Sequence, residues 1–138
     1  MTVRFQDISV GDAIPDLVKP VITRTQLALF AGASGDHNPI HLDDEQARNG
    51  GLPGVIAHGM LSMAFLGQVL TNWAPQKAVR SYSARFTAMA FPGDTITCKG
   101  VVKAKGEEAG EAYVDLDITA LNQKGEQTLA GQARIALS

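Results

Sequence analysis

Apolar and polar residues change rhythm once along this chain. From residue 79 onward they alternate. In 79–91, Tyr82, Ala84, Phe86 and Ala88 oppose Ser81, Ser83, Arg85 and Thr87. In 95–102, Ile96, Cys98 and Val102 oppose Thr95, Thr97 and Lys99, and in 112–120, Val114, Leu116 and Ile118 oppose Tyr113, Asp115, Asp117 and Thr119. In 128–137, Leu129, Ala133, Ile135 and Leu137 oppose Thr128, Gln132 and Arg134. A period of two predicts strands of a sheet with one face buried and one facing water or a partner. Pro92-Gly93-Asp94 reads as a turn, and so do residues 105–110 (KGEEAG) and 122–127 (NQKGEQ).

Before residue 79 the pattern is helical or irregular. Residues 18–23 (VKPVIT) suit a short strand, with Pro20 marking an edge. Thr23 or Thr25 can cap a helix carrying Leu27, Leu29 and Phe30, which Gly35 ends. Residues 36–57 hold two prolines and three glycines and read as a long loop, broken by a short helix at 43–49. Residues 59–73 (GMLSMAFLGQVLTNW) predict a helix that is apolar nearly all round, and such a helix is buried on most sides.

One long apolar helix followed by alternating strands predicts an α+β fold, with an antiparallel sheet wrapped around the helix. One small sheet cannot cover so apolar a helix, so homodimerisation that extends the sheet is expected. No repeat, linker or low-complexity run divides residues 1–138, and a single domain is expected. Twelve basic against 14 acidic residues, a formal net charge of −2, exclude a general nucleic-acid binder. The longest apolar stretch, residues 59–70, falls short of the roughly 20 residues that span a bilayer. The first residues, MTVRFQDISVGD, show no secretory pattern, so the expected location is cytoplasmic. The single cysteine, Cys98, excludes an intrachain disulfide and reads as a small core residue.

The chemistry concentrates in Ser34-Gly35-Asp36-His37-Asn38-Pro39-Ile40-His41 and in Ile56-Ala57-His58-Gly59-Met60. Asn38-Pro39 disfavours helix and forces a turn, so Asp36 and His41 can converge on one point. A carboxylate and an imidazole can polarise one water, and an imidazole exchanges protons near neutrality. Gly59 opens the apolar helix, where free backbone N–H groups point outward and a ligand can come close. That end suits a carbonyl oxygen becoming an enolate. Base, water site and oxyanion donor are what hydration of an enoyl thioester needs. Taken by itself, the segment also reads as a rigid turn beside a solvated histidine.

SGDHNPIH followed about fifteen residues later by IAHGM resembles the signature of MaoC-like dehydratases, the (R)-specific enoyl-CoA hydratase group with a hotdog fold. The pattern (Y/F)-A-x-x-S/T-G-D-x-N-P-I-H is met without a break from Phe30 to His41, and RFTAMAFPGDTI is similar to the family's strand–turn–strand after the central helix. The resemblance implies hydration of trans-2-enoyl thioesters to (3R)-hydroxyacyl thioesters, or the reverse dehydration. It implies Asp36 and His41 as the catalytic pair, the Gly59 N–H as oxyanion donor, Asn38 as the residue orienting the loop, and Ser62 as part of the pocket wall. It implies no cofactor, the acyl-CoA or acyl-carrier-protein thioester being the substrate. IAHGMLSM with RFTA is also similar to the catalytic subunits of heteromeric (3R)-hydroxyacyl-carrier-protein dehydratases. Fatty-acid elongation with a different partner subunit is therefore the alternative to a homodimeric or larger homo-oligomeric hydratase.

Two other activities fit less well. A thioesterase of the same fold would need a carboxylate on or near the central helix, and residues 59–73 contain no Asp or Glu. A non-catalytic acyl-binding subunit would be expected to lack Asp36 or His41. His37, His41, Asp43 and Asp44 are ligating types, but their spacing matches no defined zinc pattern and no metal is expected. Arg85, on the polar face of its strand, can meet a phosphate of the CoA or carrier arm, or simply be solvated. His37 is expected to face solvent, and His58 to shape the loop ahead of the helix.

Overall fold

The computed structural model describes residues 3–138. Its strands are β1 (Ala13–Val18), β2 (Val79–Phe86), β3 (Thr97–Glu108), β4 (Glu111–Leu121) and β5 (Gln127–Ala136). Its helices are α1 (Arg24–Ser34), α2 (Asp44–Asn49) and α3 (Gly59–Thr71). The strands form one antiparallel sheet in the order β1-β3-β4-β5-β2, and α3 touches every one of them. This is the expected α+β arrangement of a sheet curled around one helix.

The core is where helix and sheet meet. Leu61, Phe65, Leu66, Val69 and Leu70 of α3 pack among Cys98, Val102, Leu116, Ile118, Leu129 and Ile135. Burial pushes the Cys98 thiol up to about 11, which suits a small apolar packing role. The Tyr82 hydroxyl donates to the Met63 carbonyl at 2.6 Å and ties β2 to the helix. The helix is less enclosed than its composition predicts: Met60, Ala64, Gln68 and Thr71 are exposed along one side. It also ends at Thr71 rather than residue 73, with Pro75 barring further helical turns.

Several boundaries differ from the pattern, each for a local reason. The first strand is Ala13–Val18, not 18–23. A register shift between Ile14 and Leu17, at Pro15 and Asp16, interrupts the alternation that would have revealed it. Beyond it, only single bonds such as Lys19 N–H to the Ile96 carbonyl (2.9 Å) continue the contact. The segment 105–110 is mostly strand, since β3 runs to Glu108 and the turn is Ala109-Gly110, both at positive φ (53° and 77°). β2 stops at Phe86 instead of residue 91, and 87–96 is largely irregular. A bulge lets β5 turn Thr128 inward beside Leu129: Ala120 pairs with Leu129 but Leu121 with Gln127. The Thr128 hydroxyl meets that burial by donating to the Ala120 carbonyl at 3.2 Å. Of the two threonines offered as caps, Thr23 caps α1, accepting the Gln26 N–H at 3.1 Å. No helix among the described residues is long and apolar enough to cross a membrane.

Candidate active site

The turn between α1 and α2 is held by its own side chains. Gly35 ends α1 at φ 79°, a conformation that glycine adopts freely. Asp36 Oδ1 accepts the Asn38 N–H at 3.3 Å, and Asn38 Oδ1 accepts the Ile40 N–H at 3.2 Å. Asn38 thus caps a 3-10 turn at Pro39–His41. These bonds reverse the chain and bring His41 Nε2 to 3.7 Å from Asp36 Oδ2, the carboxylate oxygen not used in the turn. The sequence-predicted pair is therefore together in space.

The two members sit in different surroundings. The Asp36 side chain is 48% exposed, while that of His41 is 8% exposed. His41 Nδ1 lies 2.7 Å from the Ile56 carbonyl. A carbonyl only accepts, so Nδ1 carries hydrogen, and in the neutral ring Nε2 presents its lone pair toward Asp36. Ile56 is fixed in return, its N–H donating to the Ile40 carbonyl at 3.0 Å. Asp44 secures the segment from outside by accepting the Val55 N–H at 2.9 Å and pairing with Arg24. The Val55 N–H first, then Arg24, hold the Asp44 carboxyl below the usual carboxylate range.

His58, the residue before α3, stacks on His41 with ring centroids 3.9 Å apart and planes 22° from parallel. The helix start is therefore beside the pair. Gly59, at the first helical position, has no helical acceptor for its N–H. A Cβ there would lie 3.0 Å from Cε1 of Phe86, which shows how tightly that ring closes on the helix end. Ser62 is buried one turn further on, its N–H directed at the His58 carbonyl. Gly59 and Ser62 thus lie in the first turn of the helix, directly after the histidine that stacks on His41.

Arg85 and His37 are not part of the corner around His41. Arg85 lies on the outer face of the sheet in a depression with Ser83, Asp117, Thr119 and Gln132, and the sheet separates it from α3. His37 is exposed. The residue that sequence reasoning underrated is His58. It is wholly buried, and burial is the main reason its pKa falls below the usual histidine value. Its place next to Gly59 was visible, but nothing in the sequence signals that its ring meets a histidine 17 positions earlier. Asp36, His41 and His58 are the one trio of His, Cys, Asp and Glu among the described residues whose ligating atoms converge, within 4.8 Å. Two of the four imidazole nitrogens already face main-chain carbonyls, which leaves one per ring for any ion.

Known proteins are similar to this chain. The chain is 30% identical to the fatty acid synthase subunit beta of Saccharomyces cerevisiae over 133 residues, 94% of this chain but only 6% of that protein. It is 37% identical to the (R)-specific enoyl-CoA hydratase of Rhodospirillum rubrum over 95 residues, 67% of this chain and 65% of the hydratase. Among solved structures, the (R)-hydratase from A. caviae involved in PHA biosynthesis matches with TM-score 0.84 at 29% identity, covering 96% of this chain and 99% of that one. The fold is accordingly the α+β hotdog that the sequence implied. The description "MaoC like domain" matches residues 9–123, and with the turn, the pair and the helix start all in place, the chain belongs to the MaoC-like domain family.

Proposed function

We propose that this protein is a hydro-lyase that adds water to trans-2-enoyl thioesters to give (3R)-hydroxyacyl thioesters, or runs the reverse dehydration. The observation that carries this reading is the approach of His41 Nε2 and Asp36 Oδ2 to 3.7 Å beside the N-terminus of α3. One water lying to the side of the pair can hydrogen-bond to both acceptors, and the pair takes its proton as the oxygen bonds to C3. The C2–C3 π electrons move toward the thioester carbonyl, whose oxygen gains negative charge facing the Gly59 N–H. The pair then delivers a proton to C2, which restores the carbonyl. Atoms balance as enoyl thioester plus water, and the enzyme returns to its starting protonation. Acid–base assistance of this kind contributes about 10²–10⁴-fold, and one oxyanion donor about 10²–10³-fold.

The likeness to the R. rubrum and A. caviae hydratases supports the R configuration and a CoA thioester. The match to a fatty acid synthase subunit over 94% of the chain favours a second reading, dehydration on a carrier protein during elongation. The partner in either reading is a second copy or a related subunit. Among the described residues β2 is paired on one side only, by β5, and Phe86 at its end is exposed, as are Met60 at the start of α3 and Met89 three residues beyond β2. Light scattering on the purified chain tests for a dimer.

Loss of enoyl-thioester absorbance with crotonyl-CoA and longer enoyl-CoA substrates, with chiral analysis of the product, tests the reaction. Consumption with a (3R) product is the expected result. An enzyme inert toward every enoyl-CoA and every enoyl-acyl carrier protein would end the hydro-lyase reading.

A further inference from the structure

His58 is a wholly buried titratable side chain to which the chemistry above gives no task. Its Nε2 lies 3.1 Å from the main-chain carbonyl of Asp36, its ring stacks on His41, and the edge of Phe30 closes it in at 4.8 Å. The Asp36 carbonyl only accepts, so Nε2 carries the hydrogen. Nδ1 has no hydrogen-bond partner among the described residues. A second proton would place a buried N–H donor where none of the described groups accepts it, so the ring rests neutral with a bare Nδ1. His41 is the reverse, with hydrogen on Nδ1 and the lone pair on Nε2. Two stacked imidazoles are thus locked in opposite tautomers by two different main-chain carbonyls.

This matters because the other bonds on Asp36 among the described residues are local: its N–H donates to Ser34 Oγ at 3.2 Å and its carboxylate accepts the Asn38 N–H, all within one exposed turn after a left-handed glycine. The link from His58 crosses 22 residues to reach it. We infer that His58 is a positioning residue for the hydration reaction: its Nε2–H fixes the Asp36 carbonyl while its ring backs that of His41, so that carboxylate and imidazole reach one water in a single geometry. The inference rests on the hydro-lyase reading. It assigns His58 no contact with substrate. A neutral backing ring also spares His41 a second positive charge 3.9 Å away when it takes a proton.

Two variants separate the contributions. His58→Phe keeps a flat ring against His41 and removes the N–H. His58→Gln loses the ring but offers a donor about where Nε2 stands. Displacement of a catalytic group by about 1 Å costs up to about 100-fold in rate. The expected result for His58→Phe is a kcat lower by about 10- to 100-fold with KM within about threefold, and for His58→Gln a return of most of that loss. Unchanged kcat in His58→Phe, a loss confined to KM, or no recovery in His58→Gln would overturn the inference. Nitrogen-15 spectra of histidine-labelled wild-type protein give a readout that needs neither activity nor a folded variant. Hydrogen on Nε2 of His58 and on Nδ1 of His41 is expected, and hydrogen on Nδ1 of His58 would refute the arrangement. A wild type that carries these tautomers but hydrates nothing would refute the hydro-lyase reading alone.

Discussion

The corner around His41 and the outer face of the sheet are both polar, yet they are built on opposite principles. On the outer face, charges answer charges. Arg80 pairs with Glu111, Lys103 with Asp117, and Arg134 with both Asp115 and Glu108 while its guanidinium lies over the Tyr113 ring at 3.7 Å. All of these groups are partly or largely open to water, where such pairs are weak and interchangeable. At the corner, the two imidazoles are buried and each is met by one main-chain carbonyl. A carbonyl cannot move independently of the fold. Polar groups that must point one way are therefore held by the backbone, and those that only keep a surface wet are held by one another.

That contrast can be broken at several levels. The largest effect falls on the pair: Asp36→Asn and His41→Gln each are expected to lower kcat by about 10²–10⁴-fold while the thermal midpoint stays within a few degrees, as steady-state kinetics and calorimetry would read. The next touches the sheet and spares the corner. A Cβ on Gly131 would lie 2.1 Å from the Ser83 carbonyl oxygen of the paired strand, so Gly131→Ala should cost about 2–3 kcal/mol or more in urea unfolding.

A smaller effect appears with pH. Burial lowers the pKa of His58 below the ordinary value of 6.5, so the unfolded chain takes up a proton that the folded chain refuses. Its contribution to stability is complete above about pH 6.5 and falls as pH drops through that value toward the lower folded pKa, by at most about 1.4 kcal/mol per pH unit. Wild-type unfolding followed from pH 7.5 to 5 should show this slope, and His58→Phe should flatten it. An unchanged slope in that variant would place the proton elsewhere. The smallest effect is on the outer face, where Lys103→Met, breaking the 3.6 Å pair with Asp117, should shift stability by less than about 0.5 kcal/mol.

The same contrast explains what could be read from residues alone. Strand β4 was legible because Val114, Leu116 and Ile118 enter the core with unbroken alternation, and β5 because Leu129, Ala133 and Ile135 keep it beyond the bulge at Thr128. β1 was hidden because a bulge at Pro15 and Asp16 leaves too few regular positions to count. The charged segment after Val102 looks like a loop in composition. It is a strand because Lys103 bulges out of register and the next residues continue pairing with β4 as far as Glu111. At the site, Asp36, Asn38, His41 and Gly59 were legible because local turn chemistry and a helix start place them. His58 was not, since stacking across 17 positions is settled by tertiary packing, which leaves no local pattern; for Arg85 the alternation gives the polar face but not its distance from the pair.

The order of strands has a consequence for how the chain comes into being. β3, β4 and β5 are successive hairpins that close over short loops, but β1 must find β3 (Ala13 opposite Val101) and β2 must find β5 (Tyr82 opposite Ala133). Synthesis proceeds from the other end, so α3 leaves the ribosome with Leu66, Val69 and Leu70 uncovered before the meander that will enclose them exists. Elongation at about 5–20 residues per second leaves that apolar helix waiting for several seconds. Nascent chains of this protein should therefore recruit a holding chaperone until β5 emerges, and slow loop closure should set the refolding rate.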